Sequence, residues 1–297
     1  MKRFRIAALL LLTLAFACGT PQEAQVMDTP APTAPVTATP TPTPTEKVET
    51  VTLQEPTPSP LPTLPPTPTP TPAPTPVPPL IGIRIGLDPG HQQRPDINQE
   101  PNAPNEEATK ARCSSGTRGI VTGIYEYEVN LAVALKLKAL LEQNGATVFI
   151  TRTTNDVNIS NRERAEFFNE NEVDLAVRLH CNGTDDTSVR GAFMLLPNKE
   201  RTAFYSENNR AATAIIEQYC KETGLNMLKR SGLTYSSSQT GFNWCTRPIV
   251  CIEMGHMSNE SEDLLLTSDT FQAKMAVGIL NGILAYFDPN ASEGGNP

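Results

Sequence analysis

Only three histidines occur in the 297-residue chain, and two of them close apolar runs: His91 in "IGLDPGH" and His180 in "VDLAVRLH". Glu253 stands near the end of a third such run, "PIVCIEMG", and Glu126 opens a long helical pattern. Two imidazoles and one carboxylate leave one position of a tetrahedral metal open, which is the make-up of a catalytic zinc site. A second carboxylate beside such a metal can take a proton from bound water. The spacing has modest specificity by itself. A strand-end histidine often serves only structure, and glutamates are favourable at helix starts for their charge alone.

These side chains can meet only if the elements between them bring their ends together. Short runs rich in branched residues, at 81–87, 147–152, 173–180, 191–196 and 248–255, read as buried strands. Between them, 125–145 carries apolar residues at helical spacing and stops at Gly145. Stretches 160–171, 202–223 and 268–287 read as three more helices, with Ser160 and Ser268 as caps. This alternation predicts an α/β domain, with a mainly parallel central sheet and helices on both faces. Ligands of such sheets gather at the carboxyl ends of the strands, where His91, His180 and Glu253 all fall.

Four motifs, in order, carry a resemblance: "IGLDPGH", "YEYEVNLAVALKLKALLEQNGATVFITRTTND", "ISNRERAEFFNENEVDLAVRLHCNG" and "PIVCIEMGHMSNESED". Together they resemble the zinc-dependent N-acetylmuramoyl-L-alanine amidases of bacterial cell-wall turnover, type 3, along essentially the whole domain. The resemblance implies Zn2+ held by His91, Glu126 and His180, with Glu126 selected over Glu128, and Glu253 as the catalytic residue. It implies hydrolysis of the bond between the lactyl group of N-acetylmuramic acid and L-alanine of the stem peptide. Glu253 would take the proton of the attacking water and pass it to the leaving amine. Two other classes stay open: a catalytically inactive peptidoglycan-binding lipoprotein, and another zinc hydrolase of the wall, a carboxypeptidase or a deacetylase.

Many members of that family follow "DPGH" with two glycines, whereas Gln92 and Gln93 stand here, and a polar stretch without clear helix or strand runs to Thr122. Such a loop could line or cover a substrate groove, offering Arg112 and Arg118 to stem-peptide carboxylates, or the two arginines could simply be solvated. His256, three residues beyond Glu253, is a rival ligand. Cys113, Cys181, Cys220, Cys245 and Cys251 cannot all pair within one chain, and a thiolate metal site is a minor alternative because no Cys-x-x-Cys occurs.

The rest of the chain reads as delivery. Residues 1–18 have a basic start and an apolar run too short to span a membrane comfortably, the pattern of an export signal. Small residues before Cys18 resemble a lipobox, which would place a lipid on Cys18 and anchor the protein at the outer face of the cytoplasmic membrane. Ordinary cleavage after Ala17 would instead release it toward the cell wall. Residues 19–80, dominated by Thr-Pro and Ala-Pro, are expected to be a disordered, polyproline-like tether. Residues 81–290 form the expected catalytic domain, and 291–297 a flexible tail. A net charge of −8 argues against nucleic acid as a partner, and a monomer acting on peptidoglycan is expected.

Overall fold

The computed structural model describes residues 77–288. The expected export signal, Cys18, the tether up to residue 76 and the tail beyond 288 lie outside the described residues. In chain order the elements are β1 (Arg84–Pro89), β2 (Asp96–Pro101), β3 (Thr109–Cys113), α1 (Glu126–Gln143), β4 (Thr147–Ile150), α2 (Asn161–Glu170), β5 (Leu175–Asn182) and β6 (Phe193–Pro197). There follow α3 (Tyr205–Thr223), β7 (Leu233–Ser236), α4 (Thr240–Asn243), β8 (Ile249–His256), α5 (Glu260–Leu266) and α6 (Asp269–Phe287). Six strands make one sheet in the order β4-β1-β5-β8-β6-β7. The first four run parallel, as expected; β6 is antiparallel to β8, and β7 follows β6 in parallel.

Alternation along the strands sorts side chains onto two faces. Ile85, Leu87, Val177, Leu179, Val250 and Ile252 join Leu137, Leu141, Ile215 and Ile279 from α1, α3 and α6 in the larger apolar cluster. Each such side chain stabilises the fold by about 1.5–3 kcal/mol relative to its exposed state. On the opposite face Ala165 and Phe168 of α2 and Phe242 of α4 cover Ala176, Ile249 and Cys251 in a smaller cluster. Gly86 is required there, since a Cβ on it would lie 2.5 Å from the Phe168 ring.

Helix ends follow their sequence signals with one exception. Ser160 forms a capping box with Glu163, whereas Ser268 occupies the N-cap position of α6 without a side-chain hydrogen bond. α1 stops at Asn144, and Gly145 takes the left-handed conformation, φ 93°, that a branched residue resists. Leu80, at the expected end of the tether, is instead fully buried in the large cluster, its N–H donating to Asn144 O at 2.9 Å. The folded domain therefore begins a few residues earlier than the Thr/Pro composition suggests.

The polar stretch after His91 is not structureless. β2 and β3 pair as an antiparallel hairpin apart from the main sheet. Arg112 on β3 is committed to Asp96 and Glu163, each at 3.0 Å. Arg118 lies over the Tyr125 ring, 5.6 Å from its centroid. Arg112 thus ties the loop to its neighbours through two carboxylates, whereas Arg118 is exposed, with the Tyr125 ring beside it. Among the described residues no helix is long and apolar enough to cross a membrane.

Candidate metal centre and groove

β1 delivers His91 through a turn that its sequence makes possible and three buried arginines make rigid. Asp88, next to last in the strand, is fully buried, its carboxylate held by Arg164 at 2.6 Å and Arg178 at 2.8 Å and by the Thr151 hydroxyl at 2.8 Å. Burial works against that charge, but the two guanidinium groups outweigh it and hold Asp88 well below the usual carboxylate range. Arg164 also donates to His91 O at 3.1 Å, and Arg152 to Pro89 O at 2.8 Å and Gly90 O at 3.1 Å. So clamped, His91 adopts a left-handed φ of 55°. Gly90 is obligatory, because a Cβ there would stand 2.1 Å from the His180 ring.

Glu126 is the first residue of α1 and reaches over the strand ends. Its Oε1 lies 3.3 Å from His91 Nε2 and 3.1 Å from His180 Nδ1. Asn130 Nδ2, at 3.2 Å, and the backbone N–H of Cys181, at 3.1 Å, also donate to Oε1, and the Thr117 N–H donates to Oε2 at 2.8 Å. Burial disfavours its charge, yet these partners keep Glu126 well below its ordinary pKa. Burial lowers His180 to about 4, with the His91 and Arg178 charges adding to it and Glu126 opposing, so this imidazole is neutral. Burial also resists charge on His91, but hydrogen bonds with Cys113 and Glu126 outweigh it and raise His91 to about 10.

The donor atoms of His91, Glu126 and His180 all lie within 4.8 Å of one another. His91 turns its other nitrogen, Nδ1, to the Ser114 carbonyl at 3.0 Å, the outer contact that orients a ligating imidazole. Gly116 leaves the space open: a Cβ on it would come within 2.7 Å of both Glu126 and His91. An ionised carboxylate, a neutral imidazole and a second, oriented imidazole in this cradle fit a divalent cation of the zinc class, which would take the place of the proton that Cys113 and Glu126 favour on His91.

Glu253 faces the same groove from β8, paired in register with His180 on the neighbouring strand. Among the described residues no donor hydrogen-bonds its carboxylate. Burial, reinforced by the negative Glu126, pushes it up to about 8 against the opposing His91 and Arg178 charges. The groove, of about 430 Å³, is completed by the Ser114–Thr117 loop, Asn182, Leu195 and Gln239. All four residues expected from the sequence thus meet at one place.

The rival candidates do not. His256 is fully buried with Nδ1 on Gly191 O at 3.0 Å and Nε2 beside Asn182 Nδ2 at 3.2 Å, so both nitrogens are engaged away from the cluster. None of the five described cysteines is disulfide-bonded, and none belongs to the donor cluster, although Cys181 and Cys251 line the groove. Arg178, another wall of the groove, went unsingled in the sequence. Its signal was there: one charged residue inside the otherwise apolar run "LAVRL".

An α/β sheet with a His–Glu–His donor set and a further carboxylate on its carboxyl-terminal rim has the make-up of a metal-site hydrolase. The chain belongs to the N-acetylmuramoyl-L-alanine amidase family, whose profile matches residues 85–285. It is similar to the germination-specific N-acetylmuramoyl-L-alanine amidase of Bacillus subtilis, 28% identical over 235 residues that span 74% of this chain and 84% of that protein. The fold matches the crystal structure of the N-acetylmuramyl-L-alanine amidase Ami1 from Mycobacterium smegmatis with a TM-score of 0.65 and 25% identity, covering 70% of this chain and 98% of that one. The apo form of Ami1 from Mycobacterium abscessus matches equally, TM-score 0.65 at 26% identity, covering 70% of this chain and 100% of that one.

Proposed function

We propose that this chain hydrolyses the amide bond between N-acetylmuramic acid and L-alanine in peptidoglycan, for turnover or remodelling of the cell wall. The observation that carries the proposal is the convergence of His91, Glu126 and His180 within 4.8 Å at the groove in which Glu253 lies beside His180. His91, Glu126 and His180 would hold zinc, which when bound polarises water and the scissile carbonyl. Glu253 takes a proton from the attacking water and delivers it to the nitrogen as the C–N bond breaks. The products are the lactyl carboxylate of muramic acid and a peptide with a free L-alanine amine. Burial raises the proton affinity of the Glu253 carboxylate, which favours taking the proton of the attacking water.

Export through residues 1–18, a lipid on Cys18 and a Thr/Pro tether would place a monomeric domain in the inner wall, bound to its own cell. Replacing Cys18 with serine should then shift the protein from the membrane fraction to the medium. Activity is tested by mass analysis of purified peptidoglycan after digestion. Release of intact stem peptides with a free L-alanine amine supports the amidase; trimmed peptides or released acetate point to a carboxypeptidase or deacetylase, and an unchanged wall to a binding protein.

A further inference from the structure

Arg178 is the groove residue that the proposed chemistry leaves unused, and its bonding is incomplete. The side chain is buried, 4% exposed. Nε donates to Asp88 at 2.8 Å and Nη2 to Asn161 at 3.0 Å. Nη1 has no hydrogen-bond partner among the described residues, yet it is not sealed in, and the residue forms part of the groove wall. Gly241 packs directly against this nitrogen, since a Cβ there would lie 2.8 Å away. A buried guanidinium in a groove wall, with one nitrogen unpaired among the described residues, can donate to a planar anion.

The charge around it points the same way. Arg152, Arg164 and Arg178 are all buried, and Asp88 is the one carboxylate hydrogen-bonded to any of them. Arg152 turns to backbone carbonyls and Asn155, within reach of the charges of Arg164 and Asp88. Glu126 is occupied by the two imidazoles, and no hydrogen bond joins Glu253 to Arg178. Among the described residues that line the groove Arg178 is the one guanidinium, and it shares its carboxylate partner, Asp88, with Arg164. A ligand carboxylate would give Arg178 a charged partner of its own, whereas an amide in the same place would not.

We propose that Arg178 binds a free carboxylate of the substrate's peptide, close to the bond that is cut, and so makes the enzyme prefer acidic over amidated stem peptides. This rests on the amidase reading. Position follows from register: Arg178 precedes His180 by two residues on β5 and so lies on the same face, about 6.6 Å away along the strand. That span matches about two residues of extended peptide, which fits the carboxylate of the residue after L-alanine. Of the arginines that sequence alone offers for this role, Arg112 is engaged with Asp96 and Glu163, and neither it nor Arg118 lines the groove.

The test compares N-acetylmuramoyl-L-alanyl-γ-D-glutamyl-L-alaninamide with its D-isoglutamine counterpart, which differ only by carboxylate against amide on the residue after L-alanine, the γ-carboxyl being blocked in both. With the purified zinc-loaded full chain, kcat/KM for the acid is expected to exceed that for the amide on the order of 10- to 100-fold. In Arg178→Gln the ratio should fall to about one, and Arg178→Lys should retain only part of it. The ratio is measured within each variant, so partial loss of folded protein does not distort it. If Arg178→Gln fails to fold, Gly241→Ala decides, because its Cβ would crowd Nη1 at 2.8 Å and the guanidinium carbon at 2.9 Å while keeping the arginine itself; it should lower the ratio too. A ratio near one in the wild type, or a preference that survives these substitutions, overturns the proposal. Calorimetric titration with the same two compounds separates the two readings. Tighter binding of the acid, lost in Arg178→Gln, with neither compound cut would defeat the amidase and leave the carboxylate site standing.

Discussion

On one face of the sheet Ile85, Leu87, Val177, Leu179, Val250 and Ile252 meet hydrocarbon from three helices; at interleaved positions of the same strands Asp88, Arg178, His180, Cys251 and Glu253 point the other way. Both faces are buried, but they hold by different means. Apolar packing is non-directional and tolerates small shifts, whereas a buried charge must find its partner at a set distance and angle. The face that reacts is therefore the one whose geometry is fixed by hydrogen bonds. The opposite face supplies most of the apolar burial.

The sharpest way to test that division is to remove groups from the reactive face. His91→Ala and His180→Ala each delete one of three donors, and both should lose most of the bound zinc and at least on the order of a thousandfold in turnover. Glu253→Gln should keep the zinc and lose on the order of a hundred- to ten-thousandfold, the range for a general acid–base group. Zinc content by elemental analysis beside kcat/KM checks both. Loss of zinc in Glu253→Gln would turn that residue into a ligand, and unchanged metal in both histidine variants would sink the site.

Next in size is the ionic layer beneath the site. Asp88→Asn strips the charge that Arg164 and Arg178 share, and breaking such a buried set should cost about 3–5 kcal/mol of unfolding free energy. Its pH dependence has a definite sign. The folded pKa of Asp88 is depressed below the ordinary 3.8, so its contribution is complete above that value and is lost only as pH falls toward the lower folded value. The gap between wild type and Asp88→Asn should therefore be the same at pH 7 and pH 5. Denaturation at the two pH values checks this; a gap that closes by pH 5 contradicts the ion-pair account.

What the sequence made legible follows the same division. The parallel strands read clearly because both their faces are buried and branched residues run almost unbroken. His91, His180 and Glu253 were legible because a rim needs strand ends, and strand ends are visible; Glu126, at a helix start, was chosen over Glu128 by the family resemblance. β2 and β3 were not: "DINQEP" and "TKARC" are mostly exposed, without apolar alternation, and are held by Arg112 pairing rather than by a core. β7, α4 and α5 are too short for a periodic signal. The reversal of β6 was available from length, since residues 183–192 are too few for the crossover that a parallel partner requires.

On the apolar face, Leu137→Ala removes a fully buried side chain from α1 and should cost about 2–5 kcal/mol. Its effect on kcat per folded molecule should be negligible, because Leu137 touches neither the donors nor the groove. Denaturant midpoints with active-site-normalised rates check this. A large loss of kcat at full folding would mean that the two faces are coupled more tightly than their chemistry suggests.

The smallest expected effect is the most discriminating. Ser160 accepts a hydrogen bond from Glu163 N at 3.1 Å and its own N–H donates to the Glu163 carboxylate at 2.7 Å, which fixes the start of α2. Ser160→Ala should cost about 0.5–2 kcal/mol, less than Leu137→Ala. Yet the first turn of α2 carries Asn161, which holds Arg178, and Arg164, which holds Asp88 and the His91 carbonyl. Loosening that turn moves the groups that aim both the metal donor and the groove arginine. Ser160→Ala should therefore lower kcat/KM by a few-fold, about 0.5–1 kcal/mol in transition-state terms, where the more destabilising Leu137→Ala does not. If Ser160→Ala loses stability and no activity, the hydrogen-bonded face is a scaffold like the other, and its geometry does not set the rate.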